Sequence, residues 1–205
     1  MSSPIALIDY GAGNLTSVKK ALAAVGADFF VPEEPGALVD ARGVVVPGVG
    51  HFGATRALDR PWVDAILALV GDGKPLLGIC LGMQWLFEGS EEAPECRGLG
   101  VLAGRCRRLS VASGEGRLKI PHVGWNSLEP QLDASIIEGI PAGAQVYFTH
   151  SYVAPVTGDT VAATEHGERF ASVVQRGQVA GVQFHPEKSG DIGLRILENW
   201  LALAA

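Results

Sequence analysis

Short apolar runs alternate with amphipathic helical patterns through the first two-thirds of the chain. Ile5 to Ile8 reads as a buried strand; a loop at 10–14 follows, then a helix with Leu15, Val18, Leu22 and Val25 at helical spacing. Gly26 supplies its C-terminal stop. Asp28 to Val31 and Gly43 to Val46 predict two more strands, the second ended by Pro47. A helix carrying Leu58, Trp62, Ile66 and Leu69 leads to another apolar strand, Pro75 to Ile79. Continuous apolar strands joined by helices are the pattern of a parallel sheet covered on both faces.

Beyond about Gly98 the texture changes. Strand-like segments at Val101–Leu109, Gln145–Tyr152, Thr160–Thr164, Ala171–Gln175 and Val179–Phe184 are joined by turns rich in Gly, Pro and Asp. A last helix starts near Ser189 with Ile192, Ile196, Leu197 and Trp200 on one side. No repeat or long linker divides the chain. The predicted fold class is α/β: a mixed sheet, parallel at its centre, extended by antiparallel strands and flanked by helices on both faces, with residues 1–205 as a single domain.

Composition narrows the function classes. The chain has 205 residues, 47% of them hydrophobic, which suits one packed core. A net charge of -6 gives no electrostatic reason to expect a nucleic acid or an anionic membrane as partner. Cys80, Cys96 and Cys106 form no CxxC pair, so a disulfide framework is not expected and a reducing cytoplasm is. The first residues run from Met-Ser-Ser-Pro straight into a strand, without the basic and apolar regions of a signal peptide. The His and Cys residues lack compact ligand spacing, so neither a metal nor a cofactor is expected.

The candidate chemistry centres on Cys80. Gly78-Ile79-Cys80-Leu81-Gly82 follows an apolar strand and precedes a helical pattern of Met83, Leu86 and Phe87. This is the cysteine counterpart of a nucleophile elbow. A tight strand-to-helix turn pushes the side chain out at the sheet's carboxyl edge, and the flanking glycines avoid Cβ clashes. The helix N-terminus favours thiolate over thiol, and the Leu81 amide faces a developing oxyanion. A thiolate nucleophile needs a base, and the base an orienting group. His185-Pro186-Glu187 supplies both: Pro186 biases His185 toward extended geometry, which turns Glu187 to the same side. The glycine-rich loop Pro47-Gly48-Val49-Gly50 follows a buried strand as Cys80 does, and exposes backbone amides from which a second oxyanion donor could come. A Cys hydrolase or peptidase without an obligate partner would use the same elements.

The segments at 78–84, 47–50 and 185–187, in that order and placement, resemble the triad (class I) glutamine amidotransferases. The resemblance implies glutamine as substrate, Cys80 as nucleophile, His185 as acid and base, and Glu187 as orienter. It implies an oxyanion hole built from the amides of Leu81 and of Val49 or Gly48. It places Gln84, Gly50, Ser151 and Tyr152 against glutamine, the last two within Thr149-His150-Ser151-Tyr152. Further segments at 8–15, 85–92, 121–126 and 185–190 are similar to the glutaminase subunits that serve a (β/α)₈ cyclase making imidazole glycerol phosphate in histidine biosynthesis. That likeness implies a heterodimer with such a cyclase, with Asn14, His122 and Trp125 near the interface. Because unregulated glutamine hydrolysis would waste ammonia, hydrolysis is expected to be weak until the partner holds its substrate. Cys96, Cys106 and the Arg105/Arg107/Arg108 cluster have no assigned role in this reading.

Overall fold

The computed structural model describes residues 3–110 and 118–204. In chain order its elements are β1 (Ile5–Leu7), α1 (Leu15–Ala24), β2 (Phe29–Phe30), β3 (Gly43–Gly48), α2 (Arg60–Gly71), β4 (Leu76–Cys80) and α3 (Leu81–Trp85). Then come β5 (Gly89–Ser90), β6 (Arg105–Arg108), β7 (His122–Ser127), β8 (Glu129–Pro130), β9 (Gln145–His150) and β10 (Tyr152–Val153). β11 (Thr160–Glu165), β12 (Arg169–Arg176), β13 (Val179–Val182) and α4 (Gly190–Leu203) complete the order. Among the described residues no helix is long and apolar enough to cross a membrane.

Eight strands form one sheet in the order β2-β1-β3-β4-β13-β12-β11-β8. The five from β2 to β13 are parallel neighbours, and β12, β11 and β8 extend the sheet antiparallel. Alternation along the central strands explains the two-sided core. Val45 and Leu77 point into the layer closed by Leu22 of α1 and Ile196 and Trp200 of α4. Val44, Val46 and Leu76 point into the opposite layer with Ile66 and Leu69 of α2 and Trp85 of α3. The Asp59 side chain accepts the Trp62 amide to cap α2, which places the helix start after Leu58 rather than at it.

Several boundaries differ from the sequence pattern. β3 does not end at Pro47 but runs to Gly48, because the ring sits where the strand needs only a carbonyl, and Gly48 pairs in register with Cys80. The expected strand at 101–109 shrinks to β6, since residues 101–104 form bends closed by Gly104 at φ 100°. The 145–152 run breaks at Ser151 into β9 and β10, which pair with different partners. β13 stops at Val182, although the Gln183 amide still donates to the Ser172 carbonyl of β12 at 2.9 Å, and Phe184 leads on to His185. Segment 121–126, for which the pattern predicts no strand, falls mostly in β7, which pairs antiparallel with β9.

Candidate active site

β4 and β13 are parallel neighbours, Val182 lying beside Ile79, so the residues that follow them emerge at one edge. Cys80 leaves β4 at φ 52° and is the one non-glycine residue with positive φ among the described residues. Such a conformation costs on the order of 1–3 kcal/mol and persists only where the surroundings enforce it. Here they do. A Cβ on Gly78 would lie 2.6 Å from the Gly82 carbonyl oxygen, and one on Gly82 would lie 1.8 Å from that of Val46. Neither position admits a side chain, so the turn closes tightly around the cysteine.

His185 Nδ1 donates to Oε1 of Glu187 at 2.8 Å, with both side chains buried. The extended backbone at His185 is as the sequence pattern predicts, but Pro186 and Glu187 then enter a 3-10 turn, and the turn brings the carboxylate back to the ring. The Ser189 hydroxyl donates to the His185 carbonyl at 2.6 Å and accepts the Tyr147 amide at 3.0 Å, which pins the segment to β9. Burial presses the His185 pKa down, but the Cys80 sulfur and the Glu187 carboxylate outweigh it and push it up to about 9. The ring therefore holds a proton beside the sulfur at neutral pH, the arrangement a thiolate nucleophile requires.

A cavity of about 200 Å³ opens in front of Cys80, lined by Gly50, Leu81, Gln84, Glu92 and the 149–152 segment among others. Gln84 is buried rather than solvated, and its Nε2 donates both to the Tyr152 carbonyl at 2.9 Å and to Oε1 of Gln183 at 3.1 Å. Gly50, at φ 98°, and Ser151 and Tyr152 all border this cavity. Glu92 was not among the sequence candidates, because nothing in Glu91-Glu92 marks one carboxylate as special. It is the carboxylate of the cavity, and its Oε2 accepts the Phe52 amide at 2.6 Å. Gln183 was missed too, although a polar residue inside the apolar 179–184 run was a readable signal.

The oxyanion donors are not all presented. Leu81 opens α3, where the first amides of a helix have no intrahelical acceptor. The Val49 amide instead donates to the Ala12 carbonyl at 3.2 Å, so in this arrangement it is engaged away from the sulfur. Gly48 is packed so closely that an added Cβ would meet the Tyr10 hydroxyl at 2.0 Å. That hydroxyl is buried without a partner among the described residues, and burial, with Cys80 nearby, raises its pKa.

The three residues expected near an interface are placed differently from one another. Asn14 is exposed at the start of α1, donating to the Ser17 hydroxyl at 3.0 Å. Trp125 is 57% exposed, edge-on to Tyr147, whose ring lies under the Lys188 ammonium. His122 lies on the other face of the same strand: it is 3% exposed, stacked between Phe148 and His166, because even positions of β7 face inward. The basic cluster is also more than a solvated patch. Arg107 forms an ion pair with Glu168, and Arg105 donates to the carbonyls of Ser90 and Pro94. Cys106 is buried against the Gln84 carbonyl, and burial pushes its thiol pKa up. Cys96 is buried as well. Among the described residues no three His, Cys, Asp or Glu side chains are placed to hold a metal ion.

A cysteine elbow, a histidine–carboxylate pair just beyond the neighbouring parallel strand and a small polar cavity in front of the cysteine define a class. The family model for class-I glutamine amidotransferases matches residues 6–203, and the chain belongs to that family. Curated relatives named imidazole glycerol phosphate synthase subunit HisH are similar over nearly its whole length. One from Gloeobacter violaceus is 49% identical, with 98% of this chain and 90% of the relative covered. One from Xanthomonas axonopodis pv. citri is 46% identical with 98% of both covered, and one from Bacillus mycoides 44% with 96% and 93% covered. A solved structure described as glutamine amidotransferase superposes with a TM-score of 0.75 at 23% identity, covering 97% of this chain and 98% of the other. The structure of PurLQS from Thermotoga maritima gives 0.72 at 17% identity, covering 98% and 99%. These two share the fold.

Proposed function

We infer that this chain is the glutamine-hydrolysing subunit of an imidazole glycerol phosphate synthase, acting as a single domain whose ammonia serves a (β/α)₈ cyclase subunit. The observation that carries the chemistry is the placement of His185, bonded to the Glu187 carboxylate at 2.8 Å and following the strand that runs parallel beside the one ending in Cys80. The Cys80 thiolate adds to the side-chain amide carbon of glutamine, and the carbonyl electrons move onto oxygen. The His185 imidazolium gives its proton to the amide nitrogen, and the carbon–nitrogen bond breaks to release ammonia. Water then adds to the glutamyl thioester while His185 takes its proton, and glutamate leaves with the thiolate restored. Glu187 holds the imidazole in orientation throughout.

The cavity suits a free amino acid. At about 200 Å³ it is smaller than pockets for larger ligands, which weighs against a peptidase. Glu92 offers a carboxylate to the substrate's α-ammonium, and the backbone of Ser151 and Tyr152 a polar wall. With the Val49 amide spent on Ala12, one oxyanion donor is withheld, so basal hydrolysis is slow. The loops that follow parallel strands emerge at one sheet edge, which puts Asn14 on the same side as Cys80. Val123 and Trp125, exposed two residues apart on β7, offer the cyclase an apolar contact.

The test is Cys80→Ala in the two-subunit enzyme. Glutamine-dependent synthesis is expected to vanish while ammonium salts still support the cyclase reaction. Retained glutamate release would overturn the assignment, and peptide cleavage without glutamate release would favour a hydrolase of another substrate class.

A further inference from the structure

Gln183 is fully buried two residues before His185, and its carboxamide stands between two groups of the site. Its Nε2 donates to the Cys80 sulfur at 3.7 Å, and its Oε1 accepts from Gln84 Nε2 at 3.1 Å. Amide orientation is ordinarily a matter of assignment; here a fixed backbone group decides it. The Tyr152 carbonyl is an acceptor only, so Gln84 must turn its nitrogen toward it, at 2.9 Å. The second N–H of that nitrogen then points at Gln183, which must present oxygen. Gln183 is left with its own N–H groups facing Cys80.

The same carbonyl fixes a second branch. His150 Nδ1 lies 3.1 Å from it and must carry the proton, so His150 Nε2 accepts from His122 Nδ1 at 3.1 Å. His122 Nε2 then accepts from Asn126 Nδ2 at 3.3 Å. Both rings are neutral: burial, followed by neighbouring histidines, brings their pKa values down to about 4 for His122 and about 3 for His150. One acceptor therefore sets the direction of every bond from Asn126 on β7 to the sulfur at the end of β4.

We propose that Gln183 is a positioning residue for the nucleophile: its N–H holds the Cys80 sulfur in one rotamer and favours the thiolate, in a direction dictated by the Tyr152 carbonyl through Gln84. The proposal rests on Cys80 being the nucleophile. Gln183 is the one side chain among the described residues that donates to the sulfur, which leaves its other lone pairs for the cavity that Cys80 borders.

Gln183→Met and Gln183→Glu in the full chain test it, through alkylation of Cys80 by iodoacetamide followed by mass spectrometry of the Cys80 peptide, without glutamine present. Loss of a hydrogen bond to a charged group predicts alkylation about tenfold slower for Gln183→Met near pH 7. In the glutaminase assay kcat falls by at least about tenfold while KM stays within about threefold, since the bond is to the reacting sulfur and not to substrate. Gln183→Glu sets an acceptor against the sulfur, so its deficit is larger, and it narrows as the pH falls and the carboxyl regains a proton to donate. Alkylation within twofold of the parent chain in both variants, or a Gln183→Glu deficit independent of pH, would overturn the proposal. If Gln183→Met does not fold, Gln183→Glu, matched in size and polarity, carries the test through its pH dependence. A parent chain that alkylates as expected but releases no glutamate from glutamine removes the glutaminase reading and leaves the positioning role standing.

Discussion

At the scale of single residues, the reactive pair is a balance between strain and charge. Cys80 sits in a conformation that glycines at 78 and 82 make possible by leaving no room for alternatives. His185 is raised to about 9 although burial alone would lower it, so its imidazolium is present below that value and lost above it. Ammonia release requires that proton, and kcat/KM for glutamine is therefore expected to decline above about pH 9. Glu187→Gln keeps the shape but removes the negative charge. We expect roughly 10²-fold lower kcat and a descending limb shifted toward lower pH, read from the pH–rate profile of the isolated or partnered subunit. The Cys80, His185 and Glu187 trio was legible in the sequence because two glycines and one proline constrain the backbone on either side of it. Glu92 was not, since its role depends on a cavity formed with residues from the 149–152 segment.

At the scale of elements, what the sequence left unread lies mostly in pairing. The central strands were legible from unbroken apolar runs such as Val44-Val45-Val46, whose burial on both faces follows from their composition. β7 was not: Gly124 at φ 134° interrupts its alternation, and its inward residues are His122 and Gly124 rather than aliphatics. Only pairing with β9 makes it a strand. That pairing also divides its residues, burying His122 while leaving Val123 and Trp125 outside. A large exposed aromatic on a rigid ribbon is the anatomy of an interface anchor. Trp125→Ala is expected to weaken binding of the cyclase subunit by about tenfold or more, measured by titration, with no change in the isolated chain's melting temperature. An unaltered Kd would place the interface elsewhere.

At the scale of the whole molecule, three histidines shape the response to acid and base in opposite senses. His122 and His150 are neutral in the fold, with pKa values lowered to about 4 and about 3 from 6.5. Their contribution is complete above about 6.5 and is lost as the pH falls toward 4, because the unfolded chain then binds more protons. His185, raised to about 9, contributes fully below 6.5 and loses that contribution as the pH rises through 9. These groups together favour a stability maximum near pH 6.5. Urea midpoints taken from pH 7.5 to 5 are expected to fall by the equivalent of on the order of 2 kcal/mol, and His150→Phe to flatten that slope while lowering the plateau. Neither the histidine cluster nor the strand order was legible beforehand, since both are created by contacts between distant segments.

The placement of β13 between β4 and β12 has a consequence for biosynthesis. On a growing chain β4 is made first, and until Val179–Val182 docks it is an uncovered edge of five apolar residues. Cys80 precedes His185 by 105 residues, an interval of about 5–20 s at ordinary rates of translation. Throughout it the cysteine is an ordinary thiol, without a base and without the Gln183 donor. Activation thus coincides with closure of the sheet, and a nascent chain cannot squander glutamine before it is able to fold. The cost of that safeguard is an uncovered apolar strand edge on the ribosome, the kind of surface on which unfinished chains associate.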